Sequence, residues 1–301
     1  MSCDPLSDIL SLIKARGVFS VGLKATGQWA IRVEGHAGLK FNAVLEGRCW
    51  LLVANAEPVL LKAGDCFLLS CGAPFTLATD LDAPPRPAAE VFSDMAGHYA
   101  HLDAGPGNEF ASLGGSMEAE GGLELIVQAL PAVVVLPAAD AAAKRVRWLL
   151  DRLDEEFSGG GPGHQAITGQ IMQMIFVEMI RALPGGTEPS WLGALSDQRI
   201  GRAVRLIHAD PARSWRLEEL ASACNLSRSQ FVARFSKAVG MAPIDYLLHW
   251  RMALARRALT SSDAAVTQIA ADLGYRSESA FGAAFKRVYG TSPRRLAKKA
   301  G

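Results

Sequence analysis

An internal repeat in the last third of the chain constrains its fold more than any other feature. The segment GMAP at 240–243 recurs as GTSP at 290–293. Further matches lie upstream: Ser227 with Ser277, Phe231 with Phe281, Phe235 with Phe285, Asn225 with Gly274, and Leu220-Ala221 with Ile269-Ala270. Two copies of a unit of about 50 residues indicate duplication of one supersecondary element.

Each copy has the pattern of two short helices separated by a sharp turn. In the first copy, Asn225 tolerates the left-handed conformation that such a turn needs. Ser227 and Gln230 have the spacing of a capping box at the start of the second helix. The units span about 217–239 and 266–289. A helix-turn-helix of this kind places its second helix in the major groove of DNA.

The distribution of charge favours the same interpretation. Residues 199–301 contain 18 Lys and Arg against 7 Asp and Glu, a net charge of +11. Residues 1–198 contain 13 basic and 23 acidic residues, a net charge of −10, so the total of +1 conceals a strong asymmetry. A basic segment of this size is typical of a domain that meets a polyanion.

The N-terminal half has the pattern of a β-sandwich or barrel. Short apolar runs broken by Gly, Pro and Asn predict strands within 29–35, 39–47, 49–57, 58–65 and 66–74, with two more at 91–103 and 122–130 and a loop at 83–89. The period then changes to that of a helix over 140–157 and of a second one ending at Leu183. Glycines and prolines at 184–193 predict a linker.

These patterns predict an α+β multidomain protein. Its parts are a β-rich domain at 1–138, a helical region for dimerisation or linkage at 139–189, and an all-α double helix-turn-helix domain at 190–301.

Residues 199–299 resemble the DNA-binding domain of the AraC/XylS-type transcription regulators. The resemblance is carried by WRLEELA (215–221), SRSQF (227–231), VG-x-x-P-x-x-Y (239–246), IAADLGY (269–275), SESAF (277–281) and YG-x-SP (289–293). The β-rich start resembles family members with a cupin-type barrel. The resemblance implies a connector helix at about 243–259, sequence-specific DNA binding, and control by a small-molecule effector of unknown identity.

The resemblance also implies which side chains meet DNA. Candidate base contacts are Arg228, Ser229 and Val232 in the first unit and Glu278, Ser279 and Ala280 in the second. Candidate phosphate contacts, which position the domain without selecting sequence, are Lys237, Lys286 and Arg287. Many family members carry Arg where this chain has Ala233 and Ala283, so apolar contacts replace the usual arginine–guanine contact. Arg216 replaces the usual Thr cap, at a cost of about 1 kcal/mol.

Four residues occupy the cupin motif positions: His36, Asn42, Glu46 and Phe75. They are candidates for an effector pocket, since a barrel of this size can enclose one small ligand. Only His36 and Glu46 could hold a metal there, whereas metal catalysis needs at least three ligands. We therefore expect no metal site, no cofactor and no enzyme activity. A cupin-type metal-dependent enzyme with an accessory helical domain is the alternative.

Other reactive side chains favour simple structural roles. Cys49, Cys66 and Cys71 lie in successive barrel segments, where cysteine usually packs as a small hydrophobe; a thiol redox sensor is the competing hypothesis. His98 and His101 are three residues apart in an extended region, so they should not share a face and form a metal pair.

The remaining expectations concern partners and compartment. The acidic N-terminus does not have the pattern of a signal peptide, and no segment has the apolar length of a membrane span. Five cysteines without a pairing motif fit a reducing cytoplasm. We expect a cytoplasmic homodimer that binds double-stranded promoter DNA, with RNA polymerase as a candidate partner and activation as the expected mode.

Overall fold

The computed structural model describes residues 4–12, 15–36, 38–54, 56–70, 72–93, 95, 98–119, 130–182, 191–195, 197–262 and 264–300. These residues form two compact units. The barrel unit comprises the described parts of Ala15–Ala119 and Leu130–Leu183. The helical unit comprises the described parts of Met1–Lys14 and Pro184–Gly301, so the start of the chain clusters with its end.

The barrel unit consists mainly of strands, followed by two long helices. The elements are β1 (Ala15–Gly27), β2 (Ala30–Val33), β3 (Leu39–Glu46), β4 (Arg48–Val53), β5 (Val59–Lys62), β6 (Cys66–Leu69), β7 (Phe75–Ala78), β8 (Pro85–Pro87), α2 (Ala88–Val91), β9 (Tyr99–Ala104), β10 (Glu109–Ala119), β11 (Val133–Leu136), α3 (Ala141–Gly159) and α4 (His164–Arg181).

The described strands form two sheets. One has the order β11-β6-β3-β10-β1-β9 and the other the order β5-β4-β7-β2-β8. The pairings are antiparallel except for β1 with β9 and β2 with β8. Alternate side chains from both sheets form one apolar core, in which the rings of Trp29 and Phe110 lie 5.0 Å apart.

The strands predicted between residues 29 and 74 are confirmed, but two other predictions need correction. In the segment 91–103 only the second half is a strand, because α2 ends at Val91 and β9 begins at Tyr99. The predicted loop at 83–89 contains β8 and the start of α2. Most of the strand predicted at 122–130 lies outside the described residues.

The helices predicted after the barrel are confirmed as the antiparallel pair α3 and α4. The helix α3 ends at Gly159 and is capped by Gly160, whose φ of 56° is the left-handed conformation that glycine adopts readily. Arg145 on α3 is paired with Glu178 on α4, Nε to Oε2 at 2.7 Å. This contact brings the N-terminal part of α3 beside the C-terminal part of α4.

The helical unit contains short helices around one long connector. The elements are α1 (Pro5–Leu12), α5 (Trp191–Ala194), α6 (Ile200–Ala209), α7 (Leu217–Ala223), α8 (Arg228–Val239), α9 (Pro243–Ser261), α10 (Val266–Asp272), α11 (Glu278–Tyr289) and α12 (Pro293–Ala300). The connector predicted at 243–259 is α9. None of the helices in the described ranges has the length and apolarity to cross a membrane.

Candidate nucleic-acid interface and effector cavity

The first helix-turn-helix is built from α7 and α8. Asn225 in the turn has a φ of 55°, as its position predicts. At the start of α8, the Ser227 hydroxyl accepts a hydrogen bond from the backbone N–H of Gln230, and the Gln230 side chain accepts one from Ser227 N–H. Phe231 and Phe235 are fully buried with ring centroids 5.6 Å apart. The cap fixes the start of α8, and the two buried rings anchor one face of the helix, so that Arg228 and Ser229 in its first turn are exposed to solvent.

The second helix-turn-helix, from α10 and α11, repeats this plan with a different turn. Gly274 has a φ of 80°, and a Cβ there would collide with the backbone of Ala212. Ser277 caps α11 by accepting a hydrogen bond from Ala280 N–H at 3.2 Å. Phe281 and Phe285 are fully buried. Glycine is therefore required here both by backbone conformation and by close packing.

The structure places the candidate DNA contacts on the outer sides of α8 and α11. Exposed members are Arg228, Ser229, Lys237, Ser279, Ala280, Lys286 and Arg287, while Val232 and Glu278 are partly exposed. Ala233 and Ala283 are also exposed. The roles of these residues toward DNA stay predictions.

The four basic candidate contacts fall into two groups, those with and those without an ion pair to a carboxylate. The Arg228 guanidinium contacts Glu218 at 3.0 Å, and Arg287 contacts Asp245 at 3.0 Å. Within the described part of the chain, Lys237 and Lys286 have no carboxylate partner. The two arginines are therefore held by carboxylates, whereas the two lysines are not held by any carboxylate of the described residues.

Sequence reasoning missed three residues that form ion pairs with the candidate contacts: Glu218, Asp245 and Arg294. Glu218 precedes Arg228 by ten residues, and Arg294 on α12 contacts the Glu278 carboxylate at 2.7 Å. Glu218 lies in the WRLEELA motif, but no spacing rule links it to the next helix. Arg294 carries no signal beyond its place in the basic C-terminal segment.

A missing cap on α7 is partly replaced. Arg216 cannot accept a hydrogen bond through its side chain, because a guanidinium has only donors. Instead, the Glu219 carboxylate accepts a hydrogen bond from Arg216 N–H at 3.2 Å. One of the exposed amides at this helix start is thereby satisfied.

Two of the four cupin-motif residues line one cavity in the barrel unit. Asn42 and Phe75 border a cavity of about 240 Å³ together with Lys40 and Ser112. The rest of its lining is apolar: Leu23, Ile31, Val33, Leu77, Ala88 and Phe92. The Asn42 Oδ1 atom is buried without a hydrogen-bond partner among the described residues. Burial also lowers the pKa of Lys40.

The other two motif residues lie elsewhere. Glu46 is exposed and borders a separate depression with His101 and Lys24. His36 is partly buried, and its ring centroid is 6.1 Å from that of Phe75. The structure therefore does not bring all four residues to one cavity. Sequence reasoning missed Lys40 and Ser112, since neither occupies a cupin motif position.

The other candidate reactive groups of the barrel unit are cysteines and histidines. Cys49 and Cys66 are buried, and burial raises the pKa of each thiol to about 12. Cys71 lies outside the described residues. His98 Nε2 lies 2.7 Å from the Asp154 carboxylate, away from His101. No cluster of three or more His, Cys, Asp or Glu side chains forms among the residues that the structure describes.

The two units together define a class of protein in which a cupin domain precedes a helix-turn-helix domain. A family model described as Cupin matches residues 4–184. A second model, described as Helix-turn-helix domain, matches residues 220–299. The second match takes in most of both repeated units.

Full-length relatives identify the family. A putative AraC-like transcription regulator of Streptomyces antibioticus is 38% identical over 96% of this chain and 97% of its own length. One of Streptomyces lividans is 37% identical over 96% of each chain. The DNA-binding domain of AdpA, crystallised with a target DNA, is 30% identical over 33% of this chain and 89% of its own, with a TM-score of 0.32. This chain belongs to the AraC-like transcription regulators and is a DNA-binding protein of that family.

Proposed function

We propose that this regulator recognises promoter DNA by inserting the first turns of α8 and α11 into successive major-groove segments. The observation that carries the proposal is the pair of capped helix starts, each with small or basic side chains exposed. Arg228 suits guanine, and the Glu278 carboxylate suits the amino group of cytosine. Val232 and Ala280 suit thymine methyl groups, while Lys237, Lys286 and Arg287 suit phosphates.

Selection of bound duplexes from a random library by the full chain tests this proposal. We expect one motif with two conserved blocks about 10 bp apart, because one chain carries two recognition helices. The Glu278→Gln variant should select the first block unchanged and relax the second. Enrichment of a single block, or of none, would contradict docking by both units.

A further proposal is that the 240 Å³ cavity of the barrel unit holds the effector. Its apolar wall suits a small, mainly hydrophobic molecule, since the volume is below that of sites for drug-sized ligands. The Asn42 Oδ1 atom can accept a hydrogen bond, and the Lys40 ammonium can donate one. These groups favour a ligand with one polar head that both donates and accepts, such as a phenol or an alcohol.

Thermal unfolding of the full chain with small phenols and alcohols tests the cavity. A ligand at 100 times its Kd stabilises the folded state by about 2.7 kcal/mol. We expect Asn42→Leu to abolish the rise in Tm and Glu46→Gln, in the separate depression, to preserve it. An equal loss of the rise in Tm in both variants would mean that the ligand does not bind in this cavity.

We also propose that α3 and α4 pair two copies of the chain. Trp148 on α3 is 65% exposed and Met174 on α4 is 51% exposed. Arg145 contacts Glu178 across the antiparallel pair. Trp148 lies one turn after Arg145 on α3, and Met174 lies one turn before Glu178 on α4, so Trp148 and Met174 are close to each other along the axis of the pair. Exposed large apolar side chains in one region are typical of an interface.

Light scattering on size-exclusion fractions tests the dimer. Trp148→Glu should convert the homodimer to a monomer, and Lys62→Glu, a charge change at an exposed lysine of β5, should not. A monomeric wild-type chain would reject the proposal outright.

We also propose that this chain is not an enzyme, because relatives that align over 96–97% of their own length are named putative AraC-like transcription regulators. We propose that the chain acts in the cytoplasm as an activator, with promoter DNA and RNA polymerase as its partners. Metal analysis of the purified chain separates this from the cupin-enzyme alternative. Stoichiometric iron, manganese or nickel would favour the enzyme.

A further inference from the structure

The connector α9 carries an arginine whose side chain reaches the loop before the first helix-turn-helix. The guanidinium of Arg251 donates hydrogen bonds to three successive backbone carbonyls of this loop. They are those of Pro211, from Nε at 2.6 Å, and of Ala212 and Arg213, from Nη2 at 3.2 and 3.0 Å. A guanidinium presents several donors in a rigid fork, so it can hold adjacent acceptors that a lysine ammonium could not hold together. The loop is thereby fastened to the connector near its middle.

The loop at 210–215 is held firmly to the first helix-turn-helix unit. The indole N–H of Trp215 donates to the backbone carbonyl of Asp210 at 2.9 Å, and the backbone N–H of Arg213 donates to the Asp210 carboxylate at 3.1 Å. The Arg213 guanidinium lies 4.2 Å from the centroid of the Trp215 ring and 3.5 Å from the Glu219 carboxylate. Because Glu219 lies on α7, the loop and the first unit should move together.

The second helix-turn-helix unit meets the same loop at its turn. Gly274 lies so close to the Ala212 carbonyl that a Cβ on the glycine would collide with it. The next residue, Tyr275, has its ring centroid 5.5 Å from the Arg251 guanidinium. On the other side, the Tyr275 ring is 5.5 Å from the ring of Phe281, which is buried on α11. Arg251 therefore contacts the loop of the first unit and the turn of the second at one point.

This point of contact lies away from the ends of the connector. A unit attached only through the end of a helix can rock about that junction, because a few backbone dihedrals absorb the motion. A second attachment, between the loop at 210–215 and the turn at Gly274, removes this freedom. One base-pair step of B-DNA advances by about 3.4 Å and turns by about 34°. Two recognition helices held in one relative orientation therefore match only one spacing of their binding sites.

We propose that Arg251 is a positioning residue that fixes α8 relative to α11 and thereby sets the number of base pairs between the two halves of the DNA site. The fixed orientation depends on the contacts of Arg251 with residues 211–213 and with Tyr275. The effect on spacing rests on the proposed function, in which both recognition helices enter the major groove. The recognition helices then select the sequence of each half, and a residue of the connector selects the distance between the halves.

Distances between two spin labels on the full chain, without DNA, test whether Arg251 fixes the two units. The labels are attached to unnatural amino acids at Ala233 and Ala283, which are exposed on α8 and α11. Labelled chain is diluted with unlabelled chain, so that only distances within one chain are measured. The distance distribution should be about 1.5 times as wide or wider in Arg251→Lys, which keeps the charge but loses the fork. Arg202→Lys, the same exchange at an exposed arginine of α6, should leave the width unchanged.

A second variant guards against failure to fold. Tyr275→Leu removes the ring beside the Arg251 guanidinium and should widen the distribution in the same way. An unchanged width in Arg251→Lys, or in Tyr275→Leu if the first variant does not fold, would overturn the proposal.

Affinities for duplexes that carry the two selected blocks at three spacings test the effect on DNA. The spacings are the selected one and those one base pair shorter and longer. The parent chain and Arg202→Lys should bind the shifted duplexes about tenfold more weakly, since a shift forfeits base contacts of one unit. In Arg251→Lys this difference should fall to about threefold or less, because a unit that can rock recovers part of these contacts. The preference for the sequence of each block should stay the same.

The outcomes separate this proposal from the proposed function. Loss of affinity by the same factor at all three spacings would give Arg251 a merely structural role and overturn the proposal. If scrambling either block leaves the affinity of the parent chain unchanged, docking by both units is rejected. The label distances then still decide whether Arg251 fixes the two units.

Discussion

At the residue scale, Arg228 is the proposed guanine contact, and its guanidinium has a defined starting position because it contacts Glu218. Arg228→Ala should cost about 1–3 kcal/mol on the selected site, the range of a good base contact. It should change binding to random DNA much less. Arg32→Ala, which removes a similar arginine–glutamate pair from the barrel unit, is the control for titrations by fluorescence anisotropy. Equal losses on both duplexes would make Arg228 a phosphate contact.

We expect His208 to make the stability of the helical unit depend on pH. Burial lowers the pKa of His208 from 6.5 to about 4, opposed by the nearby Asp8 carboxylate. Between these two values the unfolded chain binds the proton more readily, so stability rises with pH across this window and is lost as pH falls. Tyr246, Trp250 and Asp8 are the groups that face the ring. Denaturant titrations should show this loss on acidification, and His208→Phe should remove most of it.

At the scale of elements, the two turns of the helix-turn-helix units offer a matched comparison. Asn225→Gly should be close to neutral, since the left-handed conformation suits both residues. Asn225→Ala should lose about 1 kcal/mol. Gly274→Ala should lose more, because its new Cβ also meets the Ala212 backbone. Urea midpoints of the full chain measure the stability of all three variants. Equal losses for Asn225→Ala and Gly274→Ala would contradict close packing at Gly274.

The same elements show what sequence can predict and where it stops. The capping residues Ser227 and Ser277 and the turn residue Asn225 act through neighbours in the chain, so their roles follow from spacing alone. The strand β10 was not predicted because Gly114 and Gly115 interrupt its apolar alternation. Gly114 is required by a neighbouring strand, since a Cβ there would lie 2.9 Å from the Cα of Asn42. Such a contact between distant segments has no local signal.

Long-range placement also decides the candidate sites. Sequence reasoning found Asn42 and Phe75 through the cupin motif but missed Lys40 and Ser112. Lys40 shares the face of Asn42 on β3, whereas Ser112 reaches the same cavity only through the pairing of β3 with β10. It assigned residues 1–138 to one domain, whereas the described residues of Met1–Lys14 cluster with the helical unit. An eight-residue amphipathic helix shows which face is apolar but not which surface covers it.

For the whole molecule, the separation of charge predicts a strong dependence of DNA binding on salt. Each neutralised phosphate contributes about −0.9 to the slope of log affinity against log salt. Lys237→Gln and Lys286→Gln should each make the slope of the full chain shallower by about 1 and weaken binding alike on selected and random duplexes. Lys62→Gln, an exposed lysine of the barrel unit, should leave the slope unchanged, because only the segment that carries the net charge of +11 meets DNA. Titrations at several KCl concentrations measure these slopes, and an equal effect of all three changes would mean that overall charge, rather than contact with α8 and α11, governs affinity.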